Sequence, residues 1–348
     1  MRFLPVACFY FLSFFCFSQE TIKVQDFSDR YYGKVYVEDI NEVFSPGWVA
    51  IYEKRTDKEL IKVESEELAV GYTDKGEVKA NEVQLPYGEQ SVIIYQDFNF
   101  DGIEDFAIED GQNSCYHGPS FVVYLATKDG QFEYNDGFTE LAQSNCGMFG
   151  VDSEKKLLET MTKSGCCWHQ WSLYDVVNNS PRQIKVFEEA LVASGGFMEI
   201  TDREFKNNKW VENVYHVLEW ETDTLFSFEI TKNRKKVILF DRGGVLQYAF
   251  LTKDNKVEFA YPSISGLDID SLLFEVRRDS TNEKREWLDF SNESAHYQIY
   301  NEPDKVGVKV TIKGKEYDIE GDIKTRKGSI ASIFFDKNLS NVNYVDSK

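Results

Sequence analysis

The residues with the most chemistry in this sequence lie in one short run, Asp97-Phe98-Asn99-Phe100-Asp101-Gly102-Ile103-Glu104-Asp105. Counted from Asp97, side-chain oxygens fall at positions 1, 3, 5 and 9, from Asp97, Asn99, Asp101 and Asp105. Gly102 at position 6 permits the sharp turn, and Ile103 at position 7 can lend a backbone carbonyl. A calcium ion is a hard cation that collects about six to eight oxygens, so this spacing suits it. Position 12 is Ile108, with Glu109 one place further on, so the bidentate glutamate of an EF-hand is missing. The flanks, Val92-Ile93-Ile94-Tyr95 and Phe106-Ala107-Ile108, read as strands. The expected site is therefore a strand-loop-strand calcium site with a structural role, because no nucleophile adjoins it. The alternative is a polar turn, rich in Asp and Asn, that needs no ion.

A second constellation pairs Cys115-Tyr116-His117 with Cys166-Cys167-Trp168-His169. On strands, residues two apart share a face, which sets Cys115 with His117 and Cys167 with His169. Two Cys and two His suit tetrahedral zinc in principle, but the spacing is shorter than in common zinc modules. An exported chain favours disulfides instead. Four cysteines lie beyond the first 18 residues: Cys115, Cys146, Cys166 and Cys167. A bond between the neighbours Cys166 and Cys167 is disfavoured on covalent grounds, so Cys115 and Cys146 are each expected to pair with one of them. One bridge with two free thiols is the alternative. His216 and His296 stand alone among strand-like residues and read as structural. There is no His-Glu-x-x-His, Gly-x-Ser-x-Gly or phosphate-cradling glycine loop. Acid pairs are too common among 59 Asp and Glu to single out a glycosidase. The chain reads as a binder rather than an enzyme.

The elements that must position these residues are mostly strands. Arg2 precedes an almost wholly apolar run from Phe3 to Phe17, and small residues then precede Gln19, the anatomy of a secretory signal over residues 1–18. That run is too short to span a bilayer, and no second one follows, so no membrane span is expected after cleavage. The mature protein is expected in the periplasm or secreted. With 39 Lys and Arg against 59 Asp and Glu, the net charge of −20 repels nucleic acid and anionic membrane surfaces and attracts cationic proteins or metal ions.

Val35-Tyr36-Val37, Ser91 to Tyr95, Phe121 to Leu125 and Lys236 to Phe240 read as strands. Polar turns at Thr127–Gly130, Thr231–Arg234 and Thr252–Asn255 each separate two strand-like runs and read as hairpins. A turn of helix is expected around Glu154 to Leu158, and a surface loop over Asp279 to Arg285. Tyr297–Tyr300, Val306–Val310 and Tyr317–Ile319 alternate as closing strands. The fold class is all-β, a β-propeller-like succession of antiparallel hairpins. One domain is expected over residues 19–268 and a C-terminal β segment over 269–348.

The run from Tyr95 to His169 resembles the Xanthomonas periplasmic immunity-protein family, whose named member neutralises a lysozyme-like effector delivered by a type IV secretion system. The resemblance rests on Gln96 to Ile108, on Cys115-Tyr116-His117-Gly118-Pro119-Ser120 and on Val123-Tyr124-Leu125. Gly147-Met148-Phe149 and Lys163-Ser164-Gly165-Cys166-Cys167-Trp168-His169 extend it. It implies an exported, propeller-like, calcium-bearing inhibitor with a lysozyme-like hydrolase as partner. It supplies no inhibitory contact residues. Alternatives are a calcium-stabilised envelope interaction module and a glycan-active enzyme.

Overall fold

The computed structural model describes residues 21–71, 77–83, 90–193, 195–220, 222–264, 273–279, 285–335 and 339–347. The signal-like segment 1–18, the boundary expected at 268/269 and most of the loop expected over Asp279–Arg285 lie outside these residues. Strand accounts for 62% and helix for 5%, so the protein is all-β, as its alternating pattern requires. Its backbone contacts divide it into two compact units, Met1–Thr162 with Leu173–Arg182, and Lys163–Ser172 with Gln183–Lys348.

The first unit opens with two antiparallel meanders of blade size, four strands each. One comprises β1 (Ile22–Val24), β2 (Tyr31–Val37), β3 (Ser45–Glu53) and β4 (Glu59–Leu68). The other comprises β5 (Ile93–Gln96), β6 (Asp105–Ser114), β7 (Gly118–Ala126) and β8 (Phe132–Tyr134). Val35, Val49, Ile51 and Ile93 are wholly buried with Phe106 and Ile108 between the two meanders. The other face of β6 and β7 offers Ala107, Phe121 and Val123 to α1 (Asp136–Gln143), which seats Phe138, Leu141 and Ala142 against them.

That helix was not anticipated. Its start is written locally, since Asn135 caps it by accepting from the Phe138 amide at 3.0 Å. Apolar residues at 138, 141 and 142 then recur with helical spacing. The turn of helix expected at Glu154–Leu158 is instead the tight connection between β9 (Gly150–Asp152) and β10 (Leu157–Ser164). Leu157 pairs with Asp152, and Asp152 accepts from the Lys155 amide at 2.9 Å, so ladder and turn bonds outcompete a short helix.

Next come β11 (Trp168–Val177) and β12 (Ser180–Leu191), whose connection Asn178-Asn179 has φ of 52° and 56°. Two successive left-handed residues make the type I′ turn that matches strand twist, and Asn tolerates that conformation best after Gly. The same device, Asn207-Asn208, joins β13 (Phe197–Lys206) to β14 (Lys209–Leu218).

The second unit is dominated by a curled, half-barrel sheet of ten strands. Its first strands are β15 (Asp223–Ile230), β16 (Lys236–Asp241), β17 (Leu246–Leu251) and β18 (Val257–Tyr261). Then follow β19 (Phe274–Asp279), β20 (Glu286–Asn292), β21 (Ala295–Asn301), β22 (Val306–Ile312) and β23 (Lys315–Gly328). The short helix α2 (Ile330–Phe335) leads to β24 (Val342–Ser347), which lies parallel to β19. The spatial order is β18-β17-β16-β15-β23-β22-β21-β20-β19-β24.

Strands from both sides of residue 268 thus belong to one sheet, joined where β15 pairs with β23. Phe226, Phe228, Leu239, Leu288 and Ile299 form its core. Asn341, wholly buried, holds the sheet end by exchanging two 2.9 Å hydrogen bonds with the Leu246 backbone. The hairpins expected at Thr127–Gly130, Thr231–Arg234 and Thr252–Asn255 are present, and so are the three closing strands.

Candidate metal centre

The Asp97–Asp105 run is the connection between β5 and β6, closed by the Gln96–Asp105 pair. Its side chains fold back onto its own backbone. The Asp97 carboxylate accepts from the amides of Asp101 at 3.1 Å and Gly102 at 2.9 Å. Asn99 Oδ1 also accepts from the Asp101 amide at 3.1 Å, and Asp101 Oδ1 accepts from Ile103 at 2.9 Å. Gly102 has φ of 91°, the left-handed conformation that the spacing asked of it. Asn99 and Asp105 are buried, whereas Asp101 and Glu104 are exposed. Asn99 Nδ2 is 3.2 Å from Asn179 Oδ1, so the tip of the β11–β12 turn abuts the loop. Nothing in the local spacing points to Asn179, which lies 80 residues downstream.

Asp105 anchors the arrangement. It is fully buried, and its two oxygens accept from the amides of Phe98 and Ala126, both at 2.8 Å. Burial pushes its carboxyl up to about 7, against the pull of the Ala126 and Phe98 hydrogen bonds, and the charges of Asp97 and Asp101 push the same way. Among the described residues no Lys or Arg forms an ion pair with Asp97, Asp101 or Asp105. Each of their oxygens accepts from a backbone amide or, at Asp101 Oδ2, from Asn99 Nδ2 at 3.2 Å, and keeps a further lone pair. The donors are hard oxygens of mixed type, which fits calcium and not zinc. They do not form a ready-made cage of side chains: among the described residues no three His, Cys, Asp or Glu are gathered to hold a metal ion. The backbone bonds alone close the loop, so an ion would draw in oxygens of a turn that is already shaped.

The cysteines depart from expectation. Cys115 is bonded to Cys146, and Cys166 to its neighbour Cys167. The first pairing follows from the local chain path, since the Cys115 amide reaches the Asn145 carbonyl at 3.4 Å and the Gly147 amide reaches Ser114 Oγ at 3.2 Å. The second sits in the turn between β10 and β11, where Gly165 has φ of 65°. With all four sulfurs in disulfides, none is a thiolate ligand, and the zinc arrangement is not formed. His117 lies 3.4 Å from Glu67, and His169 lies 3.2 Å from Glu189.

No family model matches this chain, and no curated protein does. Among solved structures it is similar to a Xanthomonas type IV secretion system related protein, at 19% identity and a TM-score of 0.43, over 56% of this chain and 94% of that one. Prolyl oligopeptidase B from Galerina marginata is similar at 6% identity and a TM-score of 0.24, over 88% of this chain and 42% of its own. The same enzyme bound to a 35mer substrate is similar at 7% identity and a TM-score of 0.23, over 84% and 41%. This chain thus spans less than half of the oligopeptidase. TM-scores this low carry neither fold nor function across.

Proposed function

We propose that this chain is an exported calcium-binding protein that neutralises a lysozyme-like peptidoglycan hydrolase by occupying its cleft, without chemistry of its own. The observation that carries the calcium part is the β5–β6 loop. Three carboxylates and an amide oxygen share one hairpin end, Asp105 is buried there, and no cationic side chain is paired with them among the described residues. Asp97, Asn99, Asp101 and Asp105, with the Ile103 carbonyl, would hold the ion. Its charge would offset the mutual repulsion of the aspartates and tie β5 to β6.

The partner class is supported by the sequence resemblance over Tyr95–His169 and by the net charge of −20, which steers an acidic protein toward basic hydrolases. The test is lysis of peptidoglycan by a panel of lysozymes with purified mature protein added, in calcium and in EDTA. Stoichiometric inhibition in calcium that fades in EDTA is the expected result. A folded, calcium-loaded protein that leaves every lysozyme active would refute the hydrolase reading and favour an envelope interaction module.

A further inference from the structure

The first unit carries an exposed apolar patch built from two segments that touch. One is the β2–β3 connection, where Ile40, Val43 and Phe44 are 57%, 74% and 40% exposed. The other is the 3-10 turn Cys115–His117, where Tyr116 is 61% exposed. Phe44 meets the His117 ring edge-on at 5.1 Å, and this contact joins the segments. Isolated exposed apolar residues are ordinary, but a contiguous group rimmed by charge marks a binding surface.

Both segments are held in shape. Asp39 accepts from the amide and side chain of Asn41 at 2.9 and 3.0 Å, and its own amide donates to Ser45 Oγ at 2.9 Å. Tyr116 and His117 take φ of 55° and 59°, a left-handed conformation that costs non-glycine residues free energy and persists only where the surroundings enforce it. The Cys115–Cys146 bond and the Ser114–Gly147 hydrogen bond enforce it here. Segments whose backbone is fixed before binding lose less entropy on docking, so their contacts contribute more affinity.

The surroundings are acidic. Residues 38–44 include Glu38, Asp39 and Glu42 and no Lys or Arg, and exposed Glu66 and Glu67 end β4 beside His117. We propose that this patch, led by Tyr116 and Phe44, is the surface that grips a basic lysozyme-class hydrolase, an inference that rests on the inhibitor reading above. A cleft shaped for sugar rings accepts flat aromatic rings, and an acidic rim matches a basic lip.

The experiment measures binding of the full mature chain to c-type, g-type and i-type lysozymes by calorimetry. Three proteins are compared: the natural one, the double variant Phe44→Ser with Tyr116→Asn, and, as a control, Trp210→Ser on β14 of the second unit. Asn tolerates the left-handed backbone at 116, and thermal melts verify that each variant folds. The double variant is expected to lose about 100-fold or more in affinity and the control less than about threefold. In the natural complex, Tyr116 and Phe44 should be protected from hydroxyl-radical labelling. If the natural protein binds and the double variant binds equally well, or the labels stay accessible, the patch is refuted while the inhibitor reading stands. If the natural protein binds none of the lysozymes, the inhibitor reading falls and this occupant falls with it.

Discussion

Replacing Glu109 by Gln should change how the stability of the first unit depends on pH, and the structure sets sign and size. Glu109 lies in β6 where the ladder to β7 shifts register, with its side chain 1% exposed. Its Oε1 accepts from the Ala69 amide at 3.0 Å and from Gln112 Nε2 at 2.7 Å. Burial pushes the carboxyl from 4.5 up to about 8. The Ala69 bond pulls it down, Asp110 adds to the rise, and Gln112 opposes it.

Because the folded value is raised, the native state keeps a proton that the unfolded chain has shed between these values. The stabilisation is complete below the unfolded value and is lost as pH rises through the folded one. Across the full window this amounts to about 5 kcal/mol, at about 1.4 kcal/mol per pH unit. Glutamine keeps an oxygen for Ala69 and removes the titration. The assay is urea unfolding of both proteins near pH 5, 7 and 9, with amide exchange of β6 as the local readout. Near pH 5 the variant should match the natural protein or fall slightly below it; near pH 9 it should be more stable by a few kcal/mol. A difference between the two that does not vary with pH would refute the reasoning.

Three further predictions concern the loop, the disulfides and the sheet end. Calcium added after EDTA treatment should stabilise the protein by about 4 kcal/mol at a thousandfold excess over Kd. Asp101→Ala should weaken calcium affinity about tenfold or more, and an unchanged calorimetric isotherm would count against the loop as the site. Replacing Cys115 and Cys146 together by Ser opens a loop of 31 residues and should cost about 3–4 kcal/mol in urea unfolding. Replacing the adjacent Cys166 and Cys167 should cost less than about 1 kcal/mol, since almost no chain is closed between them. Peptide mapping without reduction should recover Cys115 joined to Cys146. Asn341→Ala should cost about 2–3 kcal/mol, because the Leu246 N–H and C=O lose their buried partner; a thermal melt unchanged from the natural protein would show that water takes over.

Period-two alternation and turn chemistry made the strands and hairpins legible, because a pleated strand with one buried face has to alternate. The β5–β6 loop was legible for the same local reason. Its oxygens at 97, 99, 101 and 105, and Gly102 in its left-handed conformation, are all consequences of nine consecutive residues. Helix α1 was written locally too, in Asn135 and the 138-141-142 spacing, but a run of eight residues is outweighed by the strand-like text around it.

Other features depend on residues far apart in the chain, and local patterns do not encode them. The pairing of Cys115 with Cys146 is decided by the packing that sets Ser114-Cys115 beside Asn145 and Gly147, and it leaves the adjacent Cys166 and Cys167 to bond to each other, where sulfur spacing alone pointed the wrong way. The union of β15 with β23 across the expected boundary is a ladder between residues nearly a hundred apart. The touch of Asn179 on Asn99, the burial that raises Glu109, and the meeting of Phe44 with His117 belong to the same class. Local spacing determines what a segment can bind or become. Only the packed chain determines which distant segments share its surface, because long-range pairing is chosen by the burial of whole faces and not by any single run of residues.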